Sequence, residues 1–221
     1  MGFEEDWHAW RDAREQRLRS PQGWLAVTGI HWLTEEPQRF DGVPGEWRRD
    51  DHGPVLDGQH LGDVDEDGVR LTLGDTTVEV ADRDGRTIVR PRQPSSPHLR
   101  RYQGTPCFPP DAAWVVPARH EGHEVVFEHD GSEHRLVAEV EDDGRLWILF
   151  RDATSGVTTY AAMRQLLTEV PDDDGAVELD FNRAHNMPCA YTDFATCPVA
   201  PAQNTLPFAV EAGEQTPRMD P

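Results

Sequence analysis

Lysine is absent: all 21 basic residues are arginine, set against 41 Asp plus Glu, for a formal charge of −20. Without lysine there is no Schiff base, no pyridoxal anchor and no phosphate-binding P-loop lysine. A surface this negative repels phosphate backbones and anionic lipid, so the expectation is no nucleic-acid partner and no membrane partner. Two causes of the imbalance stand equally: adaptation to high salt, where carboxylates hold hydration, and a GC-rich genome that writes Arg for Lys. Cysteine is scarce. Cys107, Cys189 and Cys197 are too few and too scattered for the disulfide framework of a small secreted domain, so reduced thiols are expected. No stretch approaches the roughly 18 apolar residues of a membrane span, and the first residues lack the basic-then-apolar pattern of a leader. A cytoplasmic location is the expectation. Gly-x-Ser-x-Gly, Gly-x-Gly-x-x-Gly and P-loop patterns are missing too, which removes the usual serine hydrolases, dinucleotide enzymes and NTPases.

What is present is a globular composition: 37% hydrophobic residues with seven Trp and eight Phe in 221 residues, enough for a sizeable core. Trp7, Trp10, Ala13, Arg14 and Leu18 recur at helical spacing, which predicts a helix over 3–19 with acidic residues at its positive end. The Gly23–Leu33 stretch is dense in apolar residues and predicts core without fixing its element type. Alternating runs at 68–73, 77–81 and 86–90, broken at Gly74-Asp75 and Asp84-Gly85, predict strands and turns. Residues 91–97, rich in Pro, mark the boundary between a domain over 1–97 and a second over 98–221. Further strands are expected at 114–118, 123–128, 135–140, 146–152 and 177–181, with a hairpin turn at Asp130-Gly131. A helix is predicted at 160–169, followed by an irregular tail with Pro188, Pro198, Pro201 and Pro207.

The run Asp180, Asn182, Asn186, Pro188, Cys189, Ala195, Thr196, Cys197, Pro198, Asn204, Gly213 and Glu214, preceded by the stretch Phe150–Leu166, closely resembles the domain-of-unknown-function family numbered 1684. Blocks at 23–33 and 88–104 are similar to the family's opening and middle regions. The resemblance implies a mostly β protein with a candidate pocket and no assigned reaction. In many members the segment after the Trp-rich opening resembles a forkhead-associated β-sandwich with a phosphate-reading loop. Here residues 38–53 keep Arg39 but place Asp41-Gly42 where that loop has Gly-Ser. His185 stands where the family usually has tyrosine, and Cys107 where it usually has tryptophan.

Several constellations could carry chemistry. Asp152 ends an apolar strand on the face of Leu146, Ile148 and Phe150, either as an acid/base or anchoring group with Arg151 or Arg164 as counter-ion, or as a turn former. Asp180 and Asn182 share one face, either in a wet pocket with Arg164 or in a buried network that fixes the tail. Cys189 and Cys197 have open readings as packed thiols, as a local disulfide, as metal ligands short of two partners, or as a nucleophile with His185 as base. The four histidines 120, 123, 129 and 134 fall on the expected hairpin and are read as surface groups.

The chain is therefore expected to be mainly β, with an N-terminal helix, a reduced β-sandwich, a second antiparallel β-barrel or sandwich, and a Pro-rich tail. Its expected function is small-molecule binding, with or without catalysis. The expected pocket is lined by Arg151, Asp152, Tyr160, Arg164, Asp180, Asn182, Asn186 and Cys189. No metal or cofactor is expected. The alternative is a protein-interaction module or homo-oligomer using its β surface.

Overall fold

Glu4, Glu5 and Asp6 in the first turn and Arg17 and Arg19 in the last complement the dipole of helix α1, Phe3–Arg19, in the computed structural model, which describes residues 2–220. The chain divides into two units. One comprises Gln16–Tyr102 with Tyr191–Ala195; the other comprises the described residues up to Glu15, Gln103–Ala190 and Thr196–Asp220.

In the first unit, Trp24–Ala26 form a single 3-10 turn and the strands that follow pair antiparallel. The strands are β1 (His31–Trp32), β2 (Gln38–Phe40), β3 (Val43–Asp50), β4 (Gly53–Leu56), β5 (Gln59–His60), β6 (Val69–Leu73), β7 (Thr76–Arg83) and β8 (Arg86–Arg92). They form two four-stranded sheets, in the orders β1-β8-β7-β6 and β2-β3-β4-β5. Val43 and Trp47 from one sheet pack with Val78, Val80 and Val89 from the other, so the two sheets share one core, the arrangement of a small β-sandwich. A short helix α2, Pro97–Arg101, capped by Ser96, closes the unit.

In the second unit β10 (Val115–Glu121), β11 (Glu124–His129), β12 (Ser132–Val137) and β16 (Ala176–Asp180) form one sheet in the order β12-β11-β10-β16. Strands β13 (Glu139–Val140), β14 (Leu146–Phe150), β15 (Arg164–Leu167) and β17 (His185–Asn186) form another, in the order β13-β14-β15-β17. Strands β9 (Tyr102–Gly104) and β18 (Arg218–Met219) make a two-stranded ribbon. Phe127, Leu136, Ile148, Phe150, Leu166 and Leu179 meet in one cluster between the larger sheets. Asp130 and Gly131 both hold positive φ, 49° and 72°, so the β11–β12 connection takes the twist that hairpins favour, and Phe127 faces His134.

The predicted helix at 160–169 is replaced by strand β15. Its apolar residues are too few to distinguish a 3.6 from a 2.0 repeat, and sheet pairing decides: Arg164 and Leu166 turn inward opposite Phe150 and Ile148, while Gln165 and Leu167 turn outward. The tail contains little regular structure, yet Leu206, Val210, Ala212 and Glu214 are buried. Gly213 makes this fit. At φ +76°, a Cβ there would lie 2.3 Å from the Ala184 carbonyl oxygen.

Candidate functional site

Strand β14 ends at a buried ion pair. Asp152 and Arg164 have side chains 0% and 1% exposed, and Arg164 Nη2 lies 3.3 Å from Asp152 Oδ1. The carboxylate also accepts from the backbone N–H groups of Thr154 (3.2 Å) and Val210 (2.7 Å) and from the hydroxyls of Thr154 (2.8 Å) and Ser155 (3.1 Å). Arg164 donates to the carbonyls of Ala212 and, at 3.0 Å, Val210. Burial pulls the Arg164 pKa down and Asp152 opposes that shift. A guanidinium remains charged in such a setting. Chemically, the arrangement is an anchor, a turn-forming carboxylate and its cation holding the C-terminal segment.

Asn186, directly opposite Arg164 in the β15–β17 pairing, extends the network. Its amide nitrogen donates to the Gln215 carbonyl at 2.8 Å, while its Oδ1 has no hydrogen-bond partner among the described residues. The Asn186 backbone N–H donates to Glu214 at 2.7 Å, and Arg14 of α1 reaches the same carboxylate at 3.0 Å. Burial raises the Glu214 pKa, but Arg14, His185 and the Asn186 N–H outweigh it and hold the group below its ordinary value. Cys107 lies beside this centre, where burial pushes its thiol up and the hydrogen bond with Arg11 opposes that shift.

Asp180 belongs to another cluster. It caps the 3-10 turn Phe181–Arg183, accepting from the Asn182 backbone N–H at 3.1 Å and from its side-chain amide at 2.9 Å. Asn182 in turn pairs with both backbone groups of Asp111, each at 2.9 Å, and its carbonyl receives the Trp7 indole N–H. Arg151 is exposed and contributes backbone hydrogen bonds to Asn204 and Leu206. Among the described residues Asp152 and Asp180 share no partner. Tyr160 and Cys189 form a third group: the tyrosine hydroxyl donates to the Cys189 carbonyl at 2.8 Å.

The outward face of the β13-β14-β15-β17 sheet carries a cleft of about 360 Å³ lined by Glu141, Trp147, Gln165, Leu167 and His185. Each wall is fixed. The Trp147 indole N–H donates to Gln165 Oε1 at 2.7 Å, Trp147 sits opposite Leu167, and Gln165 sits opposite His185. One His185 ring nitrogen lies 2.9 Å from the Arg183 carbonyl, and Trp10 approaches the ring edge-on at 6.0 Å. Leu149, Met163 and Met187 continue this face as an apolar cluster that also takes in Cys189 and Cys197.

A larger hollow of about 500 Å³ lies on the β10–β12 surface, but its rim is Arg119, Glu121, Glu128 and Glu133, long side chains exposed to solvent. Rotatable, hydrated charges make a poor preformed site. Among the described residues no group of three or more His, Cys, Asp or Glu is placed to hold a metal ion, and no helix is long and apolar enough to cross a membrane.

Of the eight residues expected to line a pocket, seven fall into these three clusters, Arg151 stands apart and none lines the cleft, whereas His185, read from sequence as a base for Cys189, does line it. A helical reading of 160–169 hides Gln165 and Leu167, the outward positions of β15, and Trp147 sits in an apolar run that reads as core on both faces. The signal that could have found them is the alternation of Trp147 and Leu149 against Leu146, Ile148 and Phe150.

Comparison with known proteins places this geometry in context. Residues 119–215 match the family described as "Protein of unknown function (DUF1684)". An uncharacterized protein of Haloarcula marismortui, solved by solution NMR, is similar at 31% identity over 51% of this chain and 76% of its own, with a TM-score of 0.44. No curated protein matches the chain.

Proposed function

We propose, from the premise that this chain belongs to the DUF1684 family of proteins of unknown function, that its C-terminal unit binds a small, flat, neutral or cationic molecule in the Trp147 cleft. The observation that carries this reading is the immobilised indole of Trp147, hydrogen-bonded to Gln165 at the wall of a cleft with apolar and polar sides. A volume of about 360 Å³ lies at the small end of ligand pockets, and an apolar wall with a few directed polar groups is their usual lining. Gln165 spends its carbonyl on Trp147, which leaves its amide N–H groups to orient a ligand. Glu141 at the rim and a formal charge of −20 disfavour anions, whereas an indole face attracts cations.

The polar residues singled out from sequence support this site from behind. Arg164 and Asn186 are the inward neighbours of Gln165 and His185 on β15 and β17, so the buried network sets the position of the strands that line the cleft. They act as positioning residues.

The test is a saturation-transfer NMR screen of the full chain against a panel of aromatic amines and neutral heteroaromatics, repeated on Trp147→Ala and on Glu128→Ala, which alters the other hollow. Binding lost in Trp147→Ala and retained in Glu128→Ala supports the assignment. Equal binding in Trp147→Ala, or loss only in Glu128→Ala, overturns it.

A further inference from the structure

Cys189 and Cys197 lie at the base of one loop whose middle, Tyr191–Ala195, belongs to the first unit. Cys197 Sγ is 3.3 Å from the Cys189 backbone nitrogen, and the two side chains are hydrogen-bonded to each other. The thiol–thiol hydrogen bond sets the two sulfurs side by side, the starting arrangement for a disulfide. Both residues are partly exposed and reduced in this structure. Around them the packing is soft, with Met163, Met187, Leu149 and Ala200, which accommodates a change in sulfur position. The segment they enclose is held independently: Tyr191 packs edge-on against Tyr102, and the Phe194 carbonyl accepts from Arg90 Nε at 3.1 Å.

We propose that Cys189 and Cys197 form a thiol–disulfide exchange site that takes a low-molecular-weight disulfide as its oxidant and closes an intramolecular bond across the loop base. In the first step the Cys189 thiolate attacks one sulfur of the small disulfide, forming a mixed disulfide and expelling one small thiolate. In the second, Cys197 loses its proton and attacks the Cys189 sulfur, forming the protein disulfide and expelling the second thiolate. Two protein thiols are oxidised by two electrons, and one small disulfide is reduced to two thiols.

Cys189 is placed to attack first. Hydrogen bonds from Cys197 and then from Tyr160 bring its pKa down to about 7 against the opposing effect of burial. An attacking thiol is most effective when its pKa lies near the ambient pH. Cys107 provides the internal contrast, because burial pushes its thiol up. The reaction needs nothing from the Trp147 cleft, so it stands or falls separately from the proposed ligand.

The experiment treats the folded full chain with oxidised glutathione at pH 7 and follows intact mass, with peptide mapping of the product. The expected product lacks two hydrogen atoms, contains a Cys189–Cys197 crosslink, leaves Cys107 free, and returns to its starting mass with dithiothreitol. Cys197→Ser should accumulate a glutathione adduct on Cys189, and Cys189→Ser should react at least tenfold more slowly. The proposal is overturned if the wild-type chain keeps its mass, retains an unresolved adduct, or crosslinks through Cys107. These wild-type outcomes decide the matter even if a variant fails to fold.

Discussion

Each unit buries an acid with arginine, and the two centres are built on opposite plans. In the first unit Glu79 of β7 faces Arg90 of β8 as its direct cross-strand partner, with Nη1 to Oε1 at 2.8 Å, and Arg92 from the same strand reaches the other oxygen at 2.6 Å. The Trp24 ring lies 5.1 Å from one guanidinium and 5.4 Å from the other. With Arg83 of β7 also at 3.5 Å, one carboxylate, three cations and an aromatic face are supplied mostly by neighbouring strands. In the second unit the Asp152–Arg164 pair reaches backbone groups of Val210 and Ala212, 46 to 58 residues distant in sequence. The Glu79 centre fastens strands that a tight hairpin already brings together, whereas the Asp152 centre fastens a segment with almost no regular structure of its own. The same chemistry reinforces register in one place and substitutes for secondary structure in the other.

The largest expected consequence follows from breaking the second centre. Arg164→Met removes the counter-ion of a buried carboxylate and leaves the Val210 and Ala212 carbonyls without their donor, so a loss of about 3–5 kcal/mol is expected. Urea denaturation followed by near-ultraviolet circular dichroism measures it, and limited proteolysis should show the 204–216 segment released first. A loss below about 1 kcal/mol, the scale of an exposed pair, would mean that the tail is held by its apolar contacts alone.

The first centre should tolerate its analogous change better. Glu79→Gln keeps an acceptor between Arg90 and Arg92 and removes the charge, for an expected loss of about 1.5–3 kcal/mol. Hydrogen exchange should show weakened protection in β7 and β8 with the amides of β14 and β15 unchanged. If β14 and β15 respond equally, the two centres are coupled and the contrast drawn between them fails.

This difference also explains what sequence could disclose. The strand pairs joined by Asp84-Gly85 and Asp130-Gly131 were legible, because two residues able to hold positive φ are a local signal. The identities of Asp152, Arg164 and Asn186 as partners in polar structure were legible from their place in the family pattern. What they touch was not, since the Arg164 acceptors are main-chain carbonyls in a tail whose sequence carries no periodicity. The Trp147 cleft was hidden for a further reason: two of its residues, Gln165 and Leu167, are outward positions of a strand only four residues long, Arg164–Leu167, whose local pattern also fits a helix.

The smallest of the expected effects concerns Glu214, which links α1 to the Asn186 side of the second centre. Its pKa is depressed in the folded chain despite burial, because Arg14, His185 and the Asn186 N–H favour the carboxylate. A depressed folded pKa contributes stability that is present above the unfolded value, about 4.3 for Glu, and is lost as pH falls through the folded value. Glu214→Gln removes that contribution while keeping the side-chain volume. Thermal melts of the two proteins should therefore differ most at neutral pH, with wild type higher, and converge as the solution is acidified below about pH 4. A gap between wild type and Glu214→Gln that stays constant through the acid range would show that Glu214 acts through packing and not through its charge. The tail would then be tied to α1 by shape, and the electrostatic half of the comparison would rest on Asp152 and Arg164 alone.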